Sequence, residues 1–90
     1  MAYEYIASEQ IKVSTANEEL IPPKPEGWSR GYIIRKLSFD NVEACTIKLN
    51  NKTRIFLGEG KGFEIGYDDP SLTSFIIEEE GITYTFIASY

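Results

Sequence analysis

Apolar and polar residues alternate in short runs over the second half of the chain. Between residues 45 and 49, apolar side chains at the odd positions alternate with Thr46 and Lys48, which is the period of a half-buried β-strand. Similar runs follow over residues 53–57, 63–67, 72–77 and 82–88, separated by residues that favour turns. The pattern predicts an all-β, antiparallel domain.

Two of the predicted turns contain residues that tolerate positive φ. Asn50 and Asn51 lie in a three- or four-residue link, which predicts a hairpin between the strands on either side. Gly81 follows Glu79 and Glu80 and is expected to adopt a positive φ, in a turn that closes a final hairpin.

The residues before Val42 carry a weaker pattern. Tyr3–Ile6 and Ile11–Val13 could each form a short strand, and residues 14–20 form either one capped helical turn or a loop. Residues 32–39 regain strand character, with Ile34 and Leu37 on opposite sides. Asp40 and Asn41 are expected to end this strand in a turn.

Prolines divide the two halves of the chain. Pro22, Pro23 and Pro25, followed by Gly27, predict an extended, polyproline-like connector that cannot donate to a sheet. We therefore expect an N-terminal arm and proline-rich connector over residues 1–30 and a β-sandwich domain over residues 31–90. The predicted fold is a small antiparallel β-sandwich or barrel-like domain with an extended proline-containing N-terminal arm.

The arm is the predicted adhesive part of the molecule. Its apolar residues exceed what a small body can cover, and an extended proline-rich segment loses little entropy on docking. Trp28 is either a lid packed on its own sheet or an anchor in a subunit contact. The candidate partner-binding residues are Tyr3, Tyr5, Ile6, Ile11 and Trp28.

Composition narrows the classes of partner. Ninety residues allow one domain, and a net charge of −5 with a pI of about 4.6 argues against binding nucleic acid through its phosphates. No apolar run reaches the length of a membrane helix. Glu4 and Glu9 stand where a signal peptide would be basic and then apolar, so we expect synthesis in the cytosol.

The single cysteine, Cys45, is predicted to be a buried structural thiol.

Candidate chemistry is sparse. The absence of histidine excludes Ser-His and Cys-His pairs and imidazole metal sites, and one cysteine excludes thiolate zinc sites. The glycines of Gly58–Gly62 lack the spacing of a phosphate loop. We expect Asp68 and Asp69 to form a solvated turn and not a calcium site. We expect Glu78–Glu80 to face water in a turn and not to act as a pair of catalytic acids. We predict no enzyme activity, no catalytic or metal-binding residues and no cofactor.

The order of strands and turns from about Leu37 to Tyr90 resembles small β-sandwich domains of tailed-phage virion proteins. Shared features are a strand ending in a polar turn, a short strand ending in glycine and a final glycine-containing hairpin. The segments that carry the resemblance are residues 44–51, 54–58, 62–65, 72–77 and 81–87.

The resemblance implies a structural role in a virion, where family members serve as capsid decoration proteins, head-fibre bases and tail attachment domains. We therefore expect this protein to be made in the host cytoplasm and to form a homo-oligomer. We expect it to bind the major capsid protein or another virion protein, and to have no nucleic acid or membrane partner. The alternative is a small glycan- or protein-binding β module of a tail or receptor-binding assembly. Exposed tyrosines could then stack on sugars.

Overall fold

The computed structural model describes residues 4–90, which form two antiparallel β-sheets and no helix. The all-β prediction is therefore confirmed for this part of the chain. In chain order the strands are β1 (Tyr5–Ala7), β2 (Lys12–Val13), β3 (Glu18–Glu19), β4 (Lys36–Asn41), β5 (Cys45–Leu49), β6 (Thr53–Leu57), β7 (Phe63–Ile65), β8 (Phe75–Ile77) and β9 (Thr83–Ser89).

Most consecutive strands lie in different sheets. Sheet A has the order β1-β9-β4-β7, with β2 also paired to β9, and sheet B has the order β3-β8-β5-β6. From β2 onward, β5–β6 is the one connection between consecutive described strands that stays within a sheet. The predicted final hairpin is wrong, because β8 pairs in sheet B and β9 in sheet A. Gly81 does have the predicted positive φ, +86°, and it lies where the chain crosses between sheets.

The core lies between the two sheets. Phe39 of β4 and Phe75 of β8 are fully buried, with ring centroids 4.9 Å apart, so the sheets meet through aromatic side chains. Ile34, Ile47 and Ile77 are also fully buried. Burying each such side chain stabilises the fold by roughly 1.5–3 kcal/mol.

The predicted β5–β6 hairpin is confirmed. Asn50 and Asn51 have φ of 53° and 58°, and the Lys52 N–H donates to the Leu49 carbonyl at 3.0 Å, as in a type I′ turn. The Asn50 Oδ1 also accepts a hydrogen bond from the Thr73 N–H at 2.7 Å. The turn is thereby joined to the loop that precedes β8.

Asn41 continues β4 and does not end it in a turn, contrary to the sequence prediction. Its buried amide Nδ2 donates to the carbonyls of Glu43 and Gly58, at 2.8 and 3.0 Å, while its Oδ1 accepts from the Gly62 N–H at 2.9 Å. These bonds join residues 17 and 21 positions away along the chain. Asn41 therefore organises two loops from a strand position.

The start of β4 also differs from the prediction. The strand begins at Lys36, while Ile34 makes an isolated bridge with Leu72. Ile34 and Leu37 are both buried, although a continuous strand would place them on opposite faces. The chain bends at Arg35, between the bridge and β4, and this break in the strand allows both side chains to be buried.

The described residues before the prolines pair with both sheets. The predicted short strands are present as β1 and β2 on β9, and β3, within a segment predicted to be a loop or a helical turn, pairs with β8. Leu20 and Ile21 then enter the core. The division of the chain into an arm over 1–30 and a domain over 31–90 stays a prediction.

Candidate protein-binding surface

The outer face of sheet A is defined by the register of its strands. Thr83 and Ile87 of β9 point away from the core, because the residues that follow them, Tyr84 and Ala88, are buried and side chains alternate along a strand. Val13 lies opposite Thr83, and Ala7 and Ser38 lie opposite Ile87 on its two sides. These side chains share one face with Tyr5, which lies opposite Ser89.

This face carries most of the large exposed hydrophobic side chains in the described part of the chain. Tyr5 is 72% exposed, Val13 63% and Ile87 48%. Val42, which follows β4 opposite Thr83, and Ile11, which precedes β2, are also exposed. We define the sheet A surface as six of the eight large exposed hydrophobic residues in the described part of the chain: Tyr5, Ile11, Val13, Val42, Tyr67 and Ile87.

An open groove of about 520 Å³ runs across one end of this surface. Tyr5 and Tyr67 line it together with Ile87, and Lys36 and Glu64 contribute opposite charges. The Lys36 Nζ lies 5.6 Å from the centre of the Tyr67 ring, within the range of a cation–π contact. The groove thus combines aromatic walls with charged groups.

The structure separates the residues predicted to bind a partner. Tyr5 and Ile11 belong to the sheet A surface, whereas Ile6 faces inward, opposite Ala88, and packs against the core. Tyr3 lies outside the described residues. The role of all these residues in binding stays a prediction.

Trp28 packs on its own domain, as in the lid interpretation. Its ring centroid lies 5.0 Å from that of Tyr32 and 5.9 Å from that of Tyr90, and the two tyrosine rings meet edge to face at 4.6 Å. Burial, reinforced by Tyr32 and Glu4, raises the pKa of Tyr90. The indole is still 40% exposed, so one side of it is free for contact.

The acidic residues near Gly81 have structural partners. Glu78 accepts two hydrogen bonds from the Arg54 guanidinium, and the Glu79 Oε1 accepts one from the Thr46 N–H at 2.7 Å. Only Glu80 of the three is highly exposed. The interpretation of all three as residues facing water is therefore wrong for Glu78 and Glu79.

Other acidic groups are also held within the fold. Glu18 accepts hydrogen bonds from the Tyr84 hydroxyl and the Thr15 N–H, and the Asp69 Oδ2 accepts one from the Gly66 N–H at 2.9 Å. Among residues 4–90, no group of three or more acidic or cysteine side chains is arranged to hold a metal ion. No helix in the same range is long and apolar enough to cross a membrane.

Sequence reasoning missed Val13, Val42 and Ile87 as members of the surface. For Ile87 a signal was present: it is an isoleucine on the side of its strand that otherwise carries Thr83 and Thr85. Val13 and Val42 gave no such signal, because their positions depend on pairing between distant segments.

Comparisons with protein-family models, with curated proteins and with solved structures found no match. The resemblance to phage virion domains rests on the strand and turn pattern alone.

Proposed function

We propose that this protein is a non-enzymatic structural protein that attaches to a larger protein assembly through the sheet A surface. More specifically, we propose that the assembly is the virion of a tailed phage and that the protein is a capsid decoration or head-attached protein. Its partner is the major capsid protein or another virion protein, and it acts as a homo-oligomer made in the host cytoplasm. The proposed body is a small β-sandwich with a proline-containing arm.

The observation that carries attachment is the concentration of uncovered apolar side chains on one sheet face. Single exposed hydrophobic residues are ordinary, but a contiguous group rimmed by polar residues is typical of a protein interface. Tyr5, Tyr67 and Ile87 provide apolar and aromatic area, while Lys36 and Glu64 at the groove can pair with charges on a partner.

The virion is proposed from the resemblance over residues 37–90. The physical character of the chain supports a structural role: the body has a dense aromatic core, and the carboxylates of Glu78 and Glu79 hydrogen-bond within the fold. Those carboxylates stabilise the protein and are not arranged as an acid and base pair.

Co-sedimentation with phage heads that lack decoration protein tests the proposal. We expect the wild type to pellet with the heads and Ile87→Lys to bind at least about tenfold more weakly, because a lysine would be desolvated within the contact. Ser71→Lys is the matched control, since Ser71 is exposed in the loop before β8 and the substitution adds the same charge. Equal binding by both variants would show that the sheet A surface is not the contact.

The second candidate function is glycan binding in the groove. The two tyrosine walls beside Lys36 and Glu64 favour it, because sugar rings stack on aromatic faces and hydrogen-bond to polar groups. A glycan array with the purified protein separates the candidates. Binding of one glycan class that Tyr67→Ala abolishes, with no binding to heads, would replace the structural proposal.

A further inference from the structure

Strand β6 forms a free edge of sheet B. It pairs with β5 on one side, and no described strand pairs with it on the other. Phe56 is 68% exposed on this strand, outside the sheet A surface. A free edge offers unpaired N–H and C=O groups to a further strand.

The backbone groups that face outward can be identified. The Thr46 carbonyl accepts from the Glu78 N–H at 3.0 Å, so the backbone groups of Thr46 point towards β8. Those of the neighbouring residues Cys45 and Ile47 then point towards β6, because the direction alternates along a strand. Cys45 and Ile47 lie opposite Leu57 and Ile55 in the register. The backbone N–H and C=O groups of Leu57 and Ile55 therefore point towards β5.

Arg54 and Phe56 are left with their N–H and C=O groups directed to the free edge. The two residues provide two donors and two acceptors in alternating order, which matches an antiparallel strand. Their side chains lie together on the outer face of sheet B, since Ile55 between them faces the core.

The edge lacks the usual protection against pairing. The β5–β6 register is continuous from Cys45–Leu57 to Leu49–Thr53, so it contains no bulge, and β6 contains no proline. The Arg54 charge is neutralised by Glu78, through two hydrogen bonds of 2.8 Å. Proline, bulges and unpaired charge are the features that normally keep edges apart.

We infer that β6 pairs with β6 of a second copy of this chain, in an antiparallel, two-fold arrangement centred on Ile55. Arg54 then lies opposite Phe56 of the partner subunit, and Phe56 lies opposite Arg54 of the partner subunit. All four outward groups of each strand form hydrogen bonds, and sheet B continues across the interface as eight strands. The inference specifies the surface behind the proposed homo-oligomer and does not depend on the identity of the larger assembly.

Side-chain complementarity selects this register. Centring the pair on Arg54 would place Phe56 opposite Lys52, which lies outside β6. Centring it on Phe56 would place Arg54 opposite Gly58. The Ile55-centred register keeps both outward residues opposite residues of β6 and brings each guanidinium near the Phe56 ring of the partner subunit, where a cation–π contact is favourable.

Light scattering and sedimentation equilibrium on the full chain test the inference. We expect twice the 10.2 kDa chain mass for the wild type. Phe56→Pro should raise the dimer dissociation constant about tenfold or more, because it removes one outward N–H per chain and no bond to β5. Phe56→Val, which keeps the N–H, is the matched control and should remain largely dimeric. A single-chain mass for the wild type at about 0.5 mM protein, or an unaltered Phe56→Pro dimer, would overturn the inference.

Cysteine cross-linking tests the register independently. In a Cys45→Ala background, Ile55→Cys should form a disulfide-linked dimer on mild oxidation, because the two copies of residue 55 lie opposite each other as a non-hydrogen-bonded pair, about 4.5 Å apart at Cα. Thr53→Cys is the control and should not cross-link, since its copies are four strand positions apart. Near-ultraviolet circular dichroism verifies that both variants are folded. Equal cross-linking of the two cysteines would refute the register.

Discussion

Arg54 and Glu78 are joined by two parallel hydrogen bonds, from Nε to Oε2 and from Nη2 to Oε1, each 2.8 Å long. The pair spans sheet B from β6 to the residue that follows β8. The hydrogen bond from Arg54 holds the pKa of Glu78 below its usual value, and the carboxylate in turn raises the pKa of Arg54. This reciprocal effect makes the stability of the fold sensitive to acid.

We expect the protein to lose stability as the pH falls below about 4.5, the ordinary glutamate pKa. Burial tends to raise the pKa of Glu18, but hydrogen bonds from Tyr84 and Thr15 lower it overall, and the Thr83 N–H lowers that of Glu43. The folded state thus binds protons less readily than the unfolded chain, so these groups stabilise the fold above their unfolded pKa and cease to do so below their folded pKa.

Thermal melts between pH 7 and pH 3 measure this effect. Glu78→Gln should lower the melting temperature at pH 7 and flatten its dependence on pH, because one of the linked carboxylates is gone. Glu80→Gln is the control at an exposed neighbouring position. A wild-type melting temperature that stays constant to pH 3 would contradict the prediction.

Gly81→Val should destabilise the fold by roughly 1–3 kcal/mol. The residue has φ of +86°, which a β-branched side chain strongly disfavours, although a Cβ there would meet open space. The backbone must keep its position because the Gly81 N–H donates to the Ser14 carbonyl at 2.8 Å. Urea denaturation measures the loss. Gly81→Asn should recover part of it, since asparagine tolerates positive φ; equal losses would point to a steric cause.

Asn41→Ala should cost about 2–4 kcal/mol of unfolding free energy, because it leaves the Gly62 N–H and two carbonyls without their partner. Asn41→Asp distinguishes the contribution of the amide oxygen from that of the amide nitrogen, since it keeps an acceptor for the Gly62 N–H and loses the donor. Both changes should destabilise the protein in chemical denaturation. A wild-type midpoint for the alanine variant would mean that solvent replaces the amide.

Cys45→Ala should cost about 1 kcal/mol through lost packing and should leave partner binding intact. The thiol is fully buried, and burial, with Glu79 and Glu43 nearby, raises its pKa to about 11. Thiol labelling at pH 8 should therefore be slow in the native protein and fast in denaturant. Rapid native labelling would show that the site opens readily. Loss of binding at wild-type stability would show a direct role.

A chain that begins at Gly31 tests the predicted division between arm and domain. The structure leads us to expect a large loss of stability, because this chain lacks β1, β2 and β3 and the core residues Leu20 and Ile21. Circular dichroism and a thermal melt measure the outcome. A cooperative transition near that of the full chain would support an independent domain over 31–90.

The strands after Val42 were predictable because local alternation is strong there: Ile47 and Leu57, for example, follow the expected period and are buried. The partner of each strand was not predictable, since β9 pairs with segments from both ends of the chain. Asn41 was expected in a turn because asparagine favours turns. Its actual role could not be predicted locally, since its buried hydrogen bonds reach distant loops. The sheet A surface depends on the same long-range pairing, so its residues could be named only in part.

The position of β9 has a consequence for synthesis. Residues 83–89 form the strand with which β1, β2 and β4 all pair, yet they are the last of the described strands to leave the ribosome. Until they emerge, the β4–β7 pair is the part of sheet A that can form, and Phe39 lacks its contact with Tyr84. Such late, long-range closure slows folding and exposes apolar strands to neighbouring nascent chains. The interval before β9 appears is therefore when a chaperone would matter most to this protein.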